Sequence, residues 1–309
     1  MKNIKLTIVC CIAMLAFTHE SDAQQDPMYT QYFFNPLTVN SGYAGTRDAL
    51  SATLLVREQW FGIEGRPQTQ TLSLHSPLRN DALAVGGTII RDKVGPTNST
   101  SVFGDFSYRV NVSDNSRLAF GLKAGVNLLS ADLAALENTD PGDISLASNI
   151  SNTPLPNFGA SAYLWADKYF LGLSAPKLLE NDLDSQIENI RGSERTHLFF
   201  MGGYVFELSP ALKFKPTFMT KVVRDAPVSL DLTANFLLDD KLWLGGAMRF
   251  GDSFGFLASY QLTDQLRAGY AFDYTLTDLQ QITTANSHEF MLSYDFIFNE
   301  EKLLSPRFF

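Results

Sequence analysis

Residues Arg117–Leu128 read RLAFGLKAGVNL. In an extended chain Leu118, Phe120, Leu122, Ala124, Val126 and Leu128 share one face, and Gly121, Lys123, Gly125 and Asn127 share the other. The run is longer than an ordinary soluble strand of about five or six residues. It is long enough to cross a bilayer when tilted. Lys123 sits mid-run, where facing lipid would cost roughly 2–4 kcal/mol. Its face must therefore turn toward a wet or hydrogen-bonded interior, which makes the apolar face the lipid face.

Working outward, the same alternation recurs from residue 49 to residue 298. Before this strand come Leu50–Arg57, Gln68–Ser76, Leu83–Arg91 and Ser101–Val110. After it come Asn157–Trp165, Lys168–Ala175, His197–Phe206, Leu212–Arg224, Val228–Leu238, Leu242–Phe250, Ser253–Gln261, Leu266–Tyr274 and His288–Phe298. The polar faces collect Asp105, Arg109, Lys123, Asn127, Lys213, Lys215, Lys221, Asp231, Asn235, Arg249, Arg267, Asp273, Glu289 and Asp295. Gly86, Gly121, Gly125, Gly245 and Gly269 recur beside them, where a missing side chain lets another group approach the inner wall.

The connections alternate in length. Pro77–Ala82, Asn111–Ser116, Ala166–Asp167, Glu207–Ala211, Asp239–Lys241 and Leu262–Gln265 are short and rich in turn formers. Those between them include the long Leu129–Pro156, Pro176–Thr196 and Thr275–Ser287. Soluble β-sandwiches also show period-two strands, but do not segregate loop length by parity. The expected fold is all-β: an antiparallel up-and-down transmembrane β-barrel of about 14 strands. Both termini are expected on the short-turn side, which is periplasmic in bacterial outer membranes.

The flanks differ from the barrel. Residues 1–23 have a basic start at Lys2 and Lys5, an apolar run Leu6–Phe17 too short to span a membrane, and small residues Ser21 and Ala23 before a cut after Ala23. They read as a signal peptide. Neither Cys10 nor Cys11 has the small preceding residue of a lipid-attachment site. Both cysteines leave with the leader, so the mature chain has no disulfide. Residues 24–48 form an irregular strap carrying Tyr29, Tyr32, Phe33, Phe34 and Tyr43 among Asn35, Pro36, Gly42 and Gly45. So many aromatics require burial, across the periplasmic mouth, inside the lumen or against a partner. Residues 299–309 form a periplasmic tail.

Composition narrows the functions. Net charge is −9, which disfavours nucleic acid. No stretch of 18 apolar residues offers a transmembrane helix. The loop carrying Asp132, Glu137, Asp140 and Asp143 offers hard oxygen ligands for calcium, but its spacing matches no EF-hand. The stretch Asp182–Arg191 could form a short helix in its loop. No zinc spacing and no phosphate-binding glycine loop is present, so neither metal nor cofactor is expected. His75, His197 and His288 lack any accompanying nucleophile motif, so no enzyme is expected.

The strap also carries a resemblance. Asp26-Pro27-x-Tyr29-Thr30-Gln31-Tyr32-x-Phe34-Asn35-Pro36, then Gly42-Tyr43-Ala44-Gly45, resembles the start of the PorP/SprF family of type IX secretion system membrane proteins. So do Arg57-x-Gln59-Trp60, Gly65-x-Pro67-x-Thr69 and the ending Ser305-Pro306-Arg307. Ser41-Gly42-Tyr43 departs from the Asn-Pro-Ala-Tyr common in members. The resemblance implies a non-enzymatic barrel in outer-membrane lipid. Some members anchor a secreted adhesin through its C-terminal domain; others contact periplasmic secretion or gliding components. The positions matching family motifs are Tyr29, Tyr32, Phe34, Asn35, Pro36, Tyr43, Arg57, Gln59, Trp60, Pro67 and Arg307. The alternative function is a FadL-like outer-membrane channel for hydrophobic small molecules, whose mark would be a ligand-sized apolar pocket in the lumen.

Overall fold

The computed structural model describes residues 27–133, 149–181, 194–224, 226–282 and 285–297. Period-two alternation produces strands throughout: β1 (Leu50–Glu58), β2 (Gln68–Pro77), β3 (Leu83–Val94), β4 (Thr97–Ser113), β5 (Ser116–Ala131), β6 (Ile150–Ala166) and β7 (Tyr169–Ala175). The second half supplies β8 (His197–Tyr204), β9 (Phe206–Ser209), β10 (Leu212–Val223), β11 (Ser229–Leu238), β12 (Leu242–Arg249), β13 (Ser253–Gln261), β14 (Leu266–Thr275) and β15 (Asn286–Phe296). β8 and β9 both bond to β10 and are one stave interrupted at Val205, whose N–H donates to the Lys168 carbonyl at 2.7 Å. Each stave pairs antiparallel with the next, and β15 pairs with β1 from Leu50↔Phe296 to Glu58↔His288. The result is a closed barrel of fourteen staves without a free sheet edge around its girth.

Side-chain alternation sorts as the sequence predicts. Leu54, Val102, Phe106, Leu122, Leu173, Phe256 and Phe290 project outward and are exposed, forming the band that meets lipid. Asp105, Arg109, Lys123, Asn127, Lys215, Lys221, Asp231, Asn235, Arg267, Asp273, Glu289 and Asp295 are buried on the inner face. Lys213 and Arg249 are partly buried and held by Asp240 at 2.5 Å and Asp231 at 2.9 Å.

The lumen is less uniformly polar than its alternation suggests. Leu55, Phe199, Met201, Met219, Leu237, Trp243, Leu257 and Met291 also point inward and are buried. They form the wall half of a core whose other half is the strap's aromatics.

Loop parity is also less strict than expected. β3 and β4 stay paired up to Val94↔Thr97, leaving only Gly95 and Pro96 between them. β5 and β6 stay paired as far as Ala131↔Ile150, deep into the stretch read as a long loop. Pro154 and Pro156 hid this continuation. β7 partners β6 only from Ala160 onward, so both prolines lie on a stretch of β6 that β7 does not pair, where a missing N–H is tolerated. Within the 276–285 connection, Leu279–Ile282 forms one helical turn. The stretch Asp182–Arg191, Phe298 and the tail lie outside the described residues.

Candidate functional site

The strap enters the barrel and fills its lumen. Its prolines and glycines break it into three 3-10 turns, Tyr32–Phe34, Pro36–Thr38 and Ser41–Tyr43. The turns place successive aromatics on different sides of the lumen. Tyr29, Tyr32, Phe33, Phe34, Leu37 and Tyr43 are all at most 5% exposed. Phe34 meets Trp243 edge-on at 5.9 Å, and Tyr43 meets His75 at 5.2 Å and Tyr163 at 5.5 Å.

Three levels of polar contact hold the strap. At the long-loop end, Arg57 contacts Asp273 at 2.8 Å and Glu289 at 3.1 Å. The Glu289 carboxylate accepts the backbone N–H groups of Thr30 and Gln31, each at 2.9 Å. The Thr30 hydroxyl donates to Asp273 at 2.5 Å. Two carboxylates and one guanidinium thus grip the strap's start through its main chain as well as its side chains.

Midway, the Tyr29 and Tyr32 hydroxyls meet those of Thr71 at 2.7 Å and Thr217 at 2.9 Å. Asn35 donates to Ser73 at 3.0 Å. Lys123, paired with Asp105 at 2.8 Å, lies 3.4 Å from the Leu37 carbonyl. Lys215 is buried and stands over the rings of Phe33, Trp243 and Phe170 at 5.4–5.8 Å, in cation–π contact.

At the short-turn end, Asn40 caps the third turn by accepting the Gly42 N–H at 3.0 Å. Gly42 also donates to Ser161 at 2.8 Å. Gly121 permits this approach, because a Cβ there would collide with the Gly42 nitrogen. Gly45 has φ +73°, donates to His75 Nδ1 at 3.1 Å and accepts from Arg109 at 2.9 Å. Arg47 then pairs with Asp295 through both prongs of its guanidinium, and Ser51 donates to the same carboxylate at 2.6 Å.

Above the strap, toward the long loops, lies a cleft of about 930 Å³ including the space open to solvent. The strap forms its floor through Tyr29, Thr38 and Val39, while β3, β4, β5 and β8 form its walls. Its lining is mixed: Lys123, Asn127, Glu194, Arg195 and Asp92 supply charge and amide groups, and Val39, Ile90, Phe103 and Phe199 supply apolar surface. Glu194 is fixed there by Asn127 at 3.2 Å and Asn181 at 2.8 Å.

Residues 21–294 match the family described as type IX secretion system membrane protein PorP/SprF. The chain belongs to this family. It is an outer-membrane β-barrel of type IX secretion, and the family is not a known enzyme class. No curated protein matches the chain. Among solved structures it is similar to the Acinetobacter baumannii outer membrane protein Omp33 (8% identity, 81% of this chain and 100% of that one, TM-score 0.48). It is also similar to a Pseudomonas aeruginosa FadL homologue (14% identity, 88% and 95%, TM-score 0.47) and to the KdgM porin (8%, 80% and 99%, TM-score 0.38).

The PorP/SprF motif residues separate into two groups. Tyr29, Tyr32, Phe34, Asn35, Pro36, Tyr43 and Arg57 converge inside the lumen, all buried. Their aromatics are therefore spent on the barrel's own wall, not displayed to a partner. Gln59, Trp60 and Pro67 lie in the β1–β2 connection: Gln59 N–H donates to the Pro67 carbonyl at 2.9 Å, and Trp60, at φ 55°, donates to Ser287 at 3.2 Å. They tie the first hairpin to the start of β15. Arg307 lies outside the described residues.

The strap's partners Asp273, Glu289, Asp295 and Arg109 stood out in the sequence only as lumen charges. Arg47 and Trp243 carried no signal beyond being the strap's lone basic residue and an aromatic out of phase with its strand. Among the described residues no group of three His, Cys, Asp or Glu is placed to hold a metal. Of the acidic loop's four carboxylates only that of Asp132 lies among the described residues.

Proposed function

We propose that this PorP/SprF barrel works through its long-loop mouth, as a partner or anchor for a secreted surface protein held by its C-terminal domain. The supporting observation is the strap, which occupies the lumen from the Arg57–Glu289 level to the Arg47–Asp295 level and is bonded at each. A lumen filled by the chain itself suits a docking platform better than a conduit. The cleft above it offers a polypeptide both charged and amide groups, at Lys123, Asn127 and Glu194, and apolar ones, at Val39, Ile90, Phe103 and Phe199. In this reading the long loops face the cell exterior, and contact with periplasmic secretion or gliding components falls to the short-turn side.

The test is purification of the barrel in detergent after in-cell cross-linking, together with deletion of its gene. Recovery of a secreted surface protein, and release of that protein into the medium on deletion, supports the proposal. Recovery of neither a surface protein nor a secretion component, with surface retention intact after deletion, removes it.

A further inference from the structure

The order of the strap's contacts fixes a direction. Thr30 and Gln31 bond to Glu289, which lies opposite Arg57 near the long-loop end of β1. Asn35 bonds to Ser73, opposite Thr53. Gly45 bonds to His75 and Arg47 to Asp295, both opposite Ser51 at the short-turn end. Arg57 and Ser51 are six positions apart, about 20 Å of strand. The strap therefore descends through the lumen from the long-loop mouth before turning into β1. Pro27, the first described residue, lines the cleft above the plug beside Asp92 and Ser99. Phe296, which ends β15, pairs with Leu50 at the opposite mouth.

We infer that the chain preceding Pro27 surfaces at the long-loop mouth, so the strap's leading end and the end of the last strand open on opposite faces of the membrane. The expectation of two periplasmic termini then holds at most for the C-terminal one. A strap seated this way must have a free leading end, because a chain tethered on the short-turn side would have to double back through a filled lumen. A leader such as residues 1–23 resemble must therefore be removed before the strap seats. The opposite-mouth geometry stands by itself; assigning the leading end to the cell exterior rests on the orientation proposed above.

Single-cysteine labelling separates the two claims, since both native cysteines lie in residues 1–23. Asp26→Cys reports the leading end, Glu64→Cys the β1–β2 connection at the long-loop mouth, and Asp114→Cys the β4–β5 turn at the other. Intact cells are treated with a membrane-impermeant maleimide, and heat-modifiable migration selects folded barrel. Asp26→Cys and Glu64→Cys are expected to label fully, and Asp114→Cys only after the outer membrane is permeabilised. Labelling of Asp26→Cys in step with Asp114→Cys overturns the inference while leaving the orientation intact. If Glu64→Cys is the protected site and Asp26→Cys is protected with it, the orientation is reversed and the opposite-mouth geometry stands.

Discussion

Arg47, the strap's one basic residue, and Asp295, on the closing strand, form a two-pronged ion pair at the short-turn end of the lumen, each side chain at most 4% exposed. The pair joins residues near the two ends of the barrel and pins the lower end of the plug. Asp295→Ala leaves the Arg47 charge buried without its partner and should cost about 3–5 kcal/mol. Replacing both residues with apolar ones of similar size should recover most of that loss. Unfolding in detergent, followed by heat-modifiable migration, measures both.

Glu289 grips main chain, so a neutral substitute weakens it without emptying the site. Glu289→Gln keeps one acceptor oxygen for Thr30 and Gln31 but opposes the other N–H with an amide, and strips Arg57 of one of its two anions. Amide exchange at residues 29–31 should accelerate, while that of Ser41–Tyr43, at the far end of the plug, stays slow. Uniform exchange along the strap would show that Glu289 is no separate grip.

Gly121 is a steric requirement. Gly121→Ala drives a methyl into the Gly42 nitrogen, backbone that can retreat only by shifting the plug. The expected cost is about 1–3 kcal/mol, as for other overpacked sites. Gly104→Ala, on the exposed outer face with the Ala124 carbonyl oxygen 3.9 Å from the added methyl, should be close to neutral in the same unfolding assay.

Leu122 tests the lipid face. It is 62% exposed and directly follows Gly121, whose vacant side opens on the lumen. Leu122→Arg should lower barrel stability in bilayers by roughly 2–4 kcal/mol. An unchanged folding yield and stability in lipid vesicles would contradict a hydrocarbon contact there.

Tyr32 tests the middle of the plug. Tyr32→Phe keeps the ring but removes the hydroxyl that meets Thr217 at 2.9 Å, and should cost about 1 kcal/mol in the same unfolding assay. Unchanged stability would show that this bond does not hold the plug.

Barrel and lipid face were legible because strict alternation in strands such as β5 admits one partition of charge from grease. The small residues at Gly121 and Gly269 likewise forecast close approach, by Gly42 and Gln31 respectively. The lumen's apolar half was not legible. Leu55, Leu237, Trp243 and Leu257 occupy inward positions in strands whose other inward residues are polar or small, so each reads as an irregularity until the strap supplies its partner. Nor could the sequence say which charges touch the plug. Glu289 and Asp273 alternate like any lumen residue, and their pairing with Thr30 depends on closing contacts across more than 240 positions.

The staves differ in length. β4, β5 and β6 run 17, 16 and 17 residues, whereas β1 and β2 run nine and ten. At about 3.3 Å per residue that is roughly 20 Å of extra seam, and the β4–β5 and β5–β6 ladders are the longest among the described strands. When the wall frays, this arc is the last to unzip.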